Sequence, residues 1–195
     1  MNLTLAAGNQ IRWQNGNTSG FDIKQLIVID GETLIERIQR QFGGRVVTHN
    51  PRIMEVSEYV FKPEHYRWTV ETLLSTRELW RGQVIITLGD VYYTDWAVMQ
   101  IKEFAGPIMF FGTLHEIFAI SFNDYARVEA CLLAAVKRLE RMTTYPSHGK
   151  LHQLYRRYHG YDTNVARIDK NFTLIDDRTQ DFDDPEDLSS FYEKN

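Results

Sequence analysis

The chain has 195 residues, enough for one domain with its own hydrophobic core, and its 43% hydrophobic and 25% charged residues are ordinary for a globular protein. A net charge of −4 leaves no electrostatic case for duplex nucleic acid as the main ligand, although a phosphate pocket can still be locally basic. The single cysteine, Cys131, excludes a disulfide framework within the chain and favours a reducing, cytoplasmic compartment.

Residues 3–6 read as a short apolar strand, followed by a polar loop rich in Gly and Asn over residues 7–24. Leu26-Ile27-Val28-Ile29 is apolar and largely β-branched and reads as a strand closed by the turn pair Asp30-Gly31. Leu34, Ile35, Ile38 and Phe42 recur at helical spacing over residues 32–42, and Gly43-Gly44 stops the helix. Residues 45–48 read as a strand and residues 68–80 as a helix ended by Gly82. Val84-Ile85-Ile86-Thr87-Leu88 is a continuous apolar run that suits a strand covered on both faces. A helix is expected over 95–104, strands over 107–111 and 117–122, and a long helix capped by Asn123 or Asp124 up to about residue 142. A shorter helix follows over 148–158. The acidic tail closes with a helix opened by Pro185. Alternating strands and helices predict one α/β domain, residues 1–195, with a mostly parallel sheet. No stretch approaches the ~20 apolar residues of a membrane helix, and the N-terminus lacks a leader signature, so a soluble protein is expected.

Three groups of residues carry chemistry. Leu5-Ala6-Ala7-Gly8-Asn9-Gln10-Ile11-Arg12, then Lys24-Gln25-Leu26, is a strand feeding a loop of small residues. Such a loop lets backbone N–H groups approach phosphates, and Arg12 and Lys24 supply positive charge to them. A surface loop with two solvated cations fits the same composition. The phosphate reading expects the loop to be mobile without ligand, because few apolar side chains pin it, and expects the partner of Lys24 to be a phosphate that arrives with substrate. Gly89-Asp90 closes the best strand, where open α/β sheets place ligands, and an aspartate there can hold Mg2+ or simply cap a turn. The tail Asp181-Phe182-Asp183-Asp184-Pro185-Glu186-Asp187-Leu188 includes a good helix start, with Asp184, Glu186 and Asp187 in that role. His148 and His152 are four apart but lack a third ligand for zinc.

Together, the Ala-Ala-Gly loop, Arg12, Lys24-Gln25-Leu26, Asp30-Gly31, Leu34-Ile35-Glu36-Arg37, Gly89-Asp90-Val91-Tyr92 and the acidic tail resemble the nucleotidyltransferase superfamily. Its members include sugar-phosphate nucleotidyltransferases, cytidylyltransferases and molybdenum cofactor guanylyltransferases. The resemblance spans nearly the whole chain and is weakest over residues 51–66 and 143–172. It implies a Rossmann-like three-layer sandwich of the nucleotide-diphospho-sugar transferase type. It implies nucleotide binding by Ala6, Ala7, Gly8, Arg12, Lys24 and Gly89, with Arg12 and Lys24 catalytic. It further implies Mg2+ on Asp90 and Asp183, with Asp181 in reserve, and an acceptor side at Gly112 and Glu116. The implied partners are a nucleoside triphosphate and a small phosphorylated substrate, with no nucleic acid and no membrane; a homodimer is compatible. The chain departs from the pattern at Gln10, where a second glycine is common, and lacks the Glu-Lys-Pro string of many hexose-phosphate members. Two rivals stand beside this reading. One is a glycosyltransferase, for which Asp181-Phe182-Asp183 supplies an Asp-x-Asp string. The other is an inactive nucleotide-binding module.

Overall fold

The computed structural model describes residues 1–8, 13, 22–141, 150–161 and 170–193. The chain opens with β1 (Asn2–Leu5), β2 (Val28–Ile29), β3 (Glu32–Thr33), α1 (Leu34–Phe42) and β4 (Arg45–Val47). It continues through α2 (Pro51–Glu55), β5 (Val60–Phe61), α3 (Thr69–Ser75), β6 (Val84–Leu88), β7 (Val91–Tyr92) and α4 (Asp95–Glu103). Then come β8 (Ile108–Gly112), β9 (Ile117–Phe122), α5 (Tyr125–Leu139), α6 (His152–His159), β10 (Phe172–Leu174), β11 (Gln180–Asp181) and α7 (Pro185–Glu193).

Seven strands form the main sheet in the order β10-β8-β9-β6-β1-β4-β5. All pairings are parallel except those of β9, which runs against both β6 and β8. The reversal follows from the short connection over residues 113–116, which only a hairpin can use. The period of two then sorts side chains onto two faces. Val84, Ile86, Ile108, Phe110 and Ile120 pack with Val70, Leu73, Leu132, Leu154 and Tyr155 of α3, α5 and α6. Ile85, Phe111 and Ala119 point the other way, against Ile38 and Phe42 of α1 and Ala97 and Ile101 of α4. The result is a mostly parallel α/β/α sandwich.

Local chemistry sets the ends of these elements. Thr33 and Glu36 form a reciprocal capping box on α1, and the Asp124 side chain accepts the Arg127 N–H at the start of α5. The expected strand over 26–29 is corrected: Lys24–Leu26 is a 3-10 turn, and β2 pairs only with β3, outside the main sheet. Asp30 and Gly31 carry φ of 55° and 85°, the tight hairpin turn that Asp-Gly favours. The expected helix over 68–80 is also broken, into α3 and a 3-10 turn at Arg77–Leu79. Thr76 causes the break: its hydroxyl donates to the Leu73 carbonyl at 2.7 Å and accepts from the Trp80 indole at 3.0 Å.

The strand directions place the functional edge. β1, β6 and β8 point their carboxyl ends the same way, and the antiparallel β9 begins at that edge. Ala6, Gly89, Gly112 and Glu116 therefore gather at one end of the sheet.

Candidate functional site

The main chain leaves β1 through Ala6 and Ala7, both buried, whereas Gly8 is exposed. A Cβ on Gly8 would meet no atom of the described residues within 4 Å, so their packing does not explain this glycine. Gly89 differs. The Gly89 N–H donates to the Leu5 carbonyl at 2.9 Å, and a Cβ there would lie 2.9 Å from the Ala6 Cβ. Gly112 is closer still, because a Cβ would lie 2.0 Å from the Glu116 carbonyl oxygen. Both glycines thus have a packing reason of their own.

Lys24 is set in its 3-10 turn between buried Ile23 and Gln25, with only 10% of its side chain exposed. Its ammonium lies 2.5 Å from Asp90 and 3.3 Å from Asp183. Burial pulls the Lys24 pKa down, but the two carboxylates outweigh it and hold the group above the ordinary lysine value. Beside the phosphate partner expected from the sequence, Lys24 thus has two carboxylate partners within the protein, which sequence reasoning does not anticipate.

The C-terminal segment brings the remaining acids. β11 pairs antiparallel with β7, setting Asp181 opposite Val91, and the Phe182 N–H donates to the Asp90 carbonyl at 3.0 Å. Phe182 is fully buried among Trp13, Ile27, Ile29, Leu34, Tyr92, Leu188 and Phe191. Its neighbours Asp181 and Asp183 turn to the opposite side by strand alternation. Asp187 accepts the N–H groups of Asp183 at 2.9 Å and Asp184 at 2.8 Å, so it fixes the turn that aims Asp183.

Sequence reasoning misses Lys150, because a lone lysine ahead of a helix carries no spacing signal. Its ammonium lies 2.8 Å from Glu116 and 3.1 Å from Asp183. Burial lowers the Lys150 pKa, but the hydrogen bond to Glu116 and the charge of Asp183 leave it raised. Asp183 therefore receives Lys24 on one oxygen and Lys150 on the other. Asp181 is pushed up to about 7, first by burial and then by the negative charges of Asp183, Asp90 and Glu116.

Glu116, Asp181 and Asp183 can each offer one oxygen, all within 4.8 Å of one another. An all-oxygen set with surplus negative charge fits a hard divalent cation. Asp90 stands apart from this trio, across the Lys24 ammonium. The structure thus brings together Lys24, Asp90, Asp183, Glu116 and the reserve candidate Asp181 from the expected residues and adds Lys150. Arg12 and His148 lie outside the described residues, as does Gln10. Tyr93 packs: its hydroxyl accepts the Leu88 N–H at 3.0 Å and donates to the Phe118 carbonyl at 2.7 Å.

The sequence matches no family model and no curated protein sequence. Solved structures do match. The inositol-1-phosphate CTP transferase from Thermotoga maritima ("T. maritima") superposes with a TM-score of 0.64 at 13% identity, over 98% of this chain and 93% of that one. The CTP:phosphocholine cytidylyltransferase from Streptococcus pneumoniae gives 0.61 at 13% identity, over 99% and 97%. The CMP:2-keto-3-deoxy-manno-octonic acid synthetase, solved with CTP, gives 0.57 at 12% identity, over 97% and 95%. The chain has the fold of these solved transferases. At these identities the likeness carries the nucleotide-diphospho-sugar transferase architecture and not the substrates. Among the described residues, no helix is long and apolar enough to cross a membrane.

Proposed function

We propose that the chain is an Mg2+-dependent nucleotidyltransferase that joins a nucleoside triphosphate to a small phosphorylated acceptor, such as a sugar phosphate, and releases pyrophosphate. The observation that carries this reading is the line Asp90–Lys24–Asp183–Lys150–Glu116, in which carboxylates and ammonium groups alternate at the carboxyl edge of the sheet. That edge is where open α/β sheets bind ligands.

In this reading Ala6, Ala7, Gly8 and Gly89 form the floor under the nucleotide. Arg12 and Lys24 offset negative charge on the triphosphate. An oxygen of the acceptor phosphate attacks the α-phosphorus in line. The bond from that phosphorus to the oxygen bridging the β-phosphate breaks, and pyrophosphate leaves with the electron pair. The acceptor is already ionised at neutral pH, so no general base is required. Asp183, with Asp181 and Glu116 and with Asp90 across Lys24, would hold Mg2+. When bound, the ion supplies charge neutralisation at the reacting phosphate. Gly112 and Glu116 border the acceptor side. The whole chain acts as one domain, in the cytoplasm, without nucleic acid or membrane.

Thermal unfolding with each of the four common nucleoside triphosphates and Mg2+ tests the binding step, since a ligand of the native state raises Tm. A rise with one or more triphosphates supports the reading, and no rise with any removes it. Glycosyl transfer is the second reading, favoured by one observation: both carboxylates of Asp181-Phe182-Asp183 enter the same cluster. Pyrophosphate release separates the two, because a nucleotide-sugar donor yields none.

A further inference from the structure

The two lysines of the site differ in how firmly they are held. Lys24 is embedded in a turn, with its side chain 10% exposed. Lys150 is 37% exposed and stands just ahead of α6, next to buried Leu151. Lys150 is also the one that occupies the cation-capable trio. Its ammonium contacts Glu116 at 2.8 Å and Asp183 at 3.1 Å, two of the three carboxylates that can share a cation.

We propose that Lys150 is a displaceable internal counter-ion of the cation site: it holds Glu116 and Asp183 when no divalent cation is bound and leaves them when one binds. The proposal rests on the metal-dependent reading above and adds a step to it. An ammonium held between the same two carboxylates opposes a divalent cation there, because like charges at such separations repel strongly in a partly buried site. Departure of one lysine relieves that repulsion, and exposure decides which. Lys150 can swing toward solvent on its flexible four-carbon stem, whereas Lys24 is confined by its turn and by its bridge to Asp90. Lys150 thus offsets the mutual repulsion of Glu116, Asp181 and Asp183, with Lys24 beside it among the described residues.

The consequence is selectivity in how the metal arrives. A free cation must displace Lys150 at full cost and binds weakly. A cation delivered on a triphosphate brings further ligands for itself and an anion for the freed ammonium, so loading is coupled to substrate.

The test uses the full chain and Mn2+ alone, a spectroscopic substitute for Mg2+. Binding is followed by calorimetry in the wild type, in Lys150→Gln and in Lys137→Gln, an exposed lysine on α5. Lys150→Gln should bind Mn2+ about tenfold more tightly or better, and Lys137→Gln should match the wild type. In parallel, reductive methylation of the wild type is read residue by residue by mass spectrometry. Near-saturating Mn2+ should raise the rate at Lys150 several-fold and leave Lys137 unchanged, which a general charge effect would not do. Mn2+ binding no tighter in Lys150→Gln than in the wild type overturns the proposal, including the case where neither binds. An unaltered methylation rate at Lys150 also overturns it, and this arm stands even where the variant fails to fold. Pyrophosphate release by the wild type in either case would show that the latch alone has failed and the transferase reading has not.

Discussion

Lys24 and Asp183 stand 159 positions apart in the chain and meet at 3.3 Å, with the Lys24 ammonium also 2.5 Å from Asp90. This contact ties the start of the chain to its C-terminal segment before any substrate is present. Replacing Lys24 with Met should therefore do two things. It should lower kcat/KM by orders of magnitude, and it should cost roughly 3 kcal/mol of stability, because breaking a buried pair strands the partner charges. Urea unfolding without ligand checks the second effect. A variant as stable as the wild type would show that the pair contributes nothing to the fold.

Asp183 and Asp187 sit in one turn but act differently. Asp187 accepts two backbone N–H groups, so Asp187→Ala should cost about 1 kcal/mol, as lost helix caps do. Its activity should fall only modestly. Asp183→Ala should lose at least ~100-fold in turnover and require much more Mg2+, because a charged contact to the reacting centre is removed. Activity against Mg2+ concentration, beside melting curves, separates the two roles.

The two glycines of the edge should part in the same way. Gly89→Ala would press a methyl group against the Ala6 Cβ at 2.9 Å and should cost about 1–3 kcal/mol by overpacking. Gly8→Ala meets no atom of the described residues within 4 Å and should leave stability unchanged while weakening triphosphate binding. Equal melting temperatures for the two variants would remove the packing argument for Gly89.

His152 gives a pH test away from the carboxylates. Burial, then the charges of Arg156 and Lys150, lower its pKa from 6.5 to about 4. The unfolded chain thus binds more protons than the native one between those values. The contribution of neutral His152 is complete above pH 6.5 and is lost as pH falls through about 4. His152→Asn should narrow the gap between unfolding free energies at pH 7 and pH 4.5. An unchanged gap would mean that His152 is not buried neutral.

Much of this architecture is legible in the sequence because its main elements bury whole faces. Val84–Leu88 reads as a strand from its apolar run, and Leu34–Phe42 as a helix from its spacing and its Gly-Gly stop. Elements of two or three residues, such as Val60–Phe61 and Gln180–Asp181, are too short to show a period and depend on their partners. Leu26 to Ile29 misleads for a different reason. Ile27 and Ile29 serve the small cluster around Trp13 and Phe182 instead of the main sheet, Leu26 packs beside Ala6 and Ile35, and Val28 is exposed. That same cluster buries Trp13 to 1% exposure. At the site, Asp90 and Lys24 are readable from strand ends and loop composition. Asp181 is readable only as a reserve ligand and Lys150 not at all, because their proximity is made by the β7–β11 pairing and by the approach of α6, which local sequence does not encode.

The most direct test is turnover. The wild type and Asp183→Asn are incubated with Mg2+, each of the four common nucleoside triphosphates, and a panel of sugar phosphates and phosphocholine, and pyrophosphate is measured. The wild type should release pyrophosphate with at least one pairing, only when triphosphate and acceptor are both present, and chelation or Asp183→Asn should abolish it. No release with any pairing, or release that survives both chelation and Asp183→Asn, would contradict metal-assisted nucleotidyl transfer at this site.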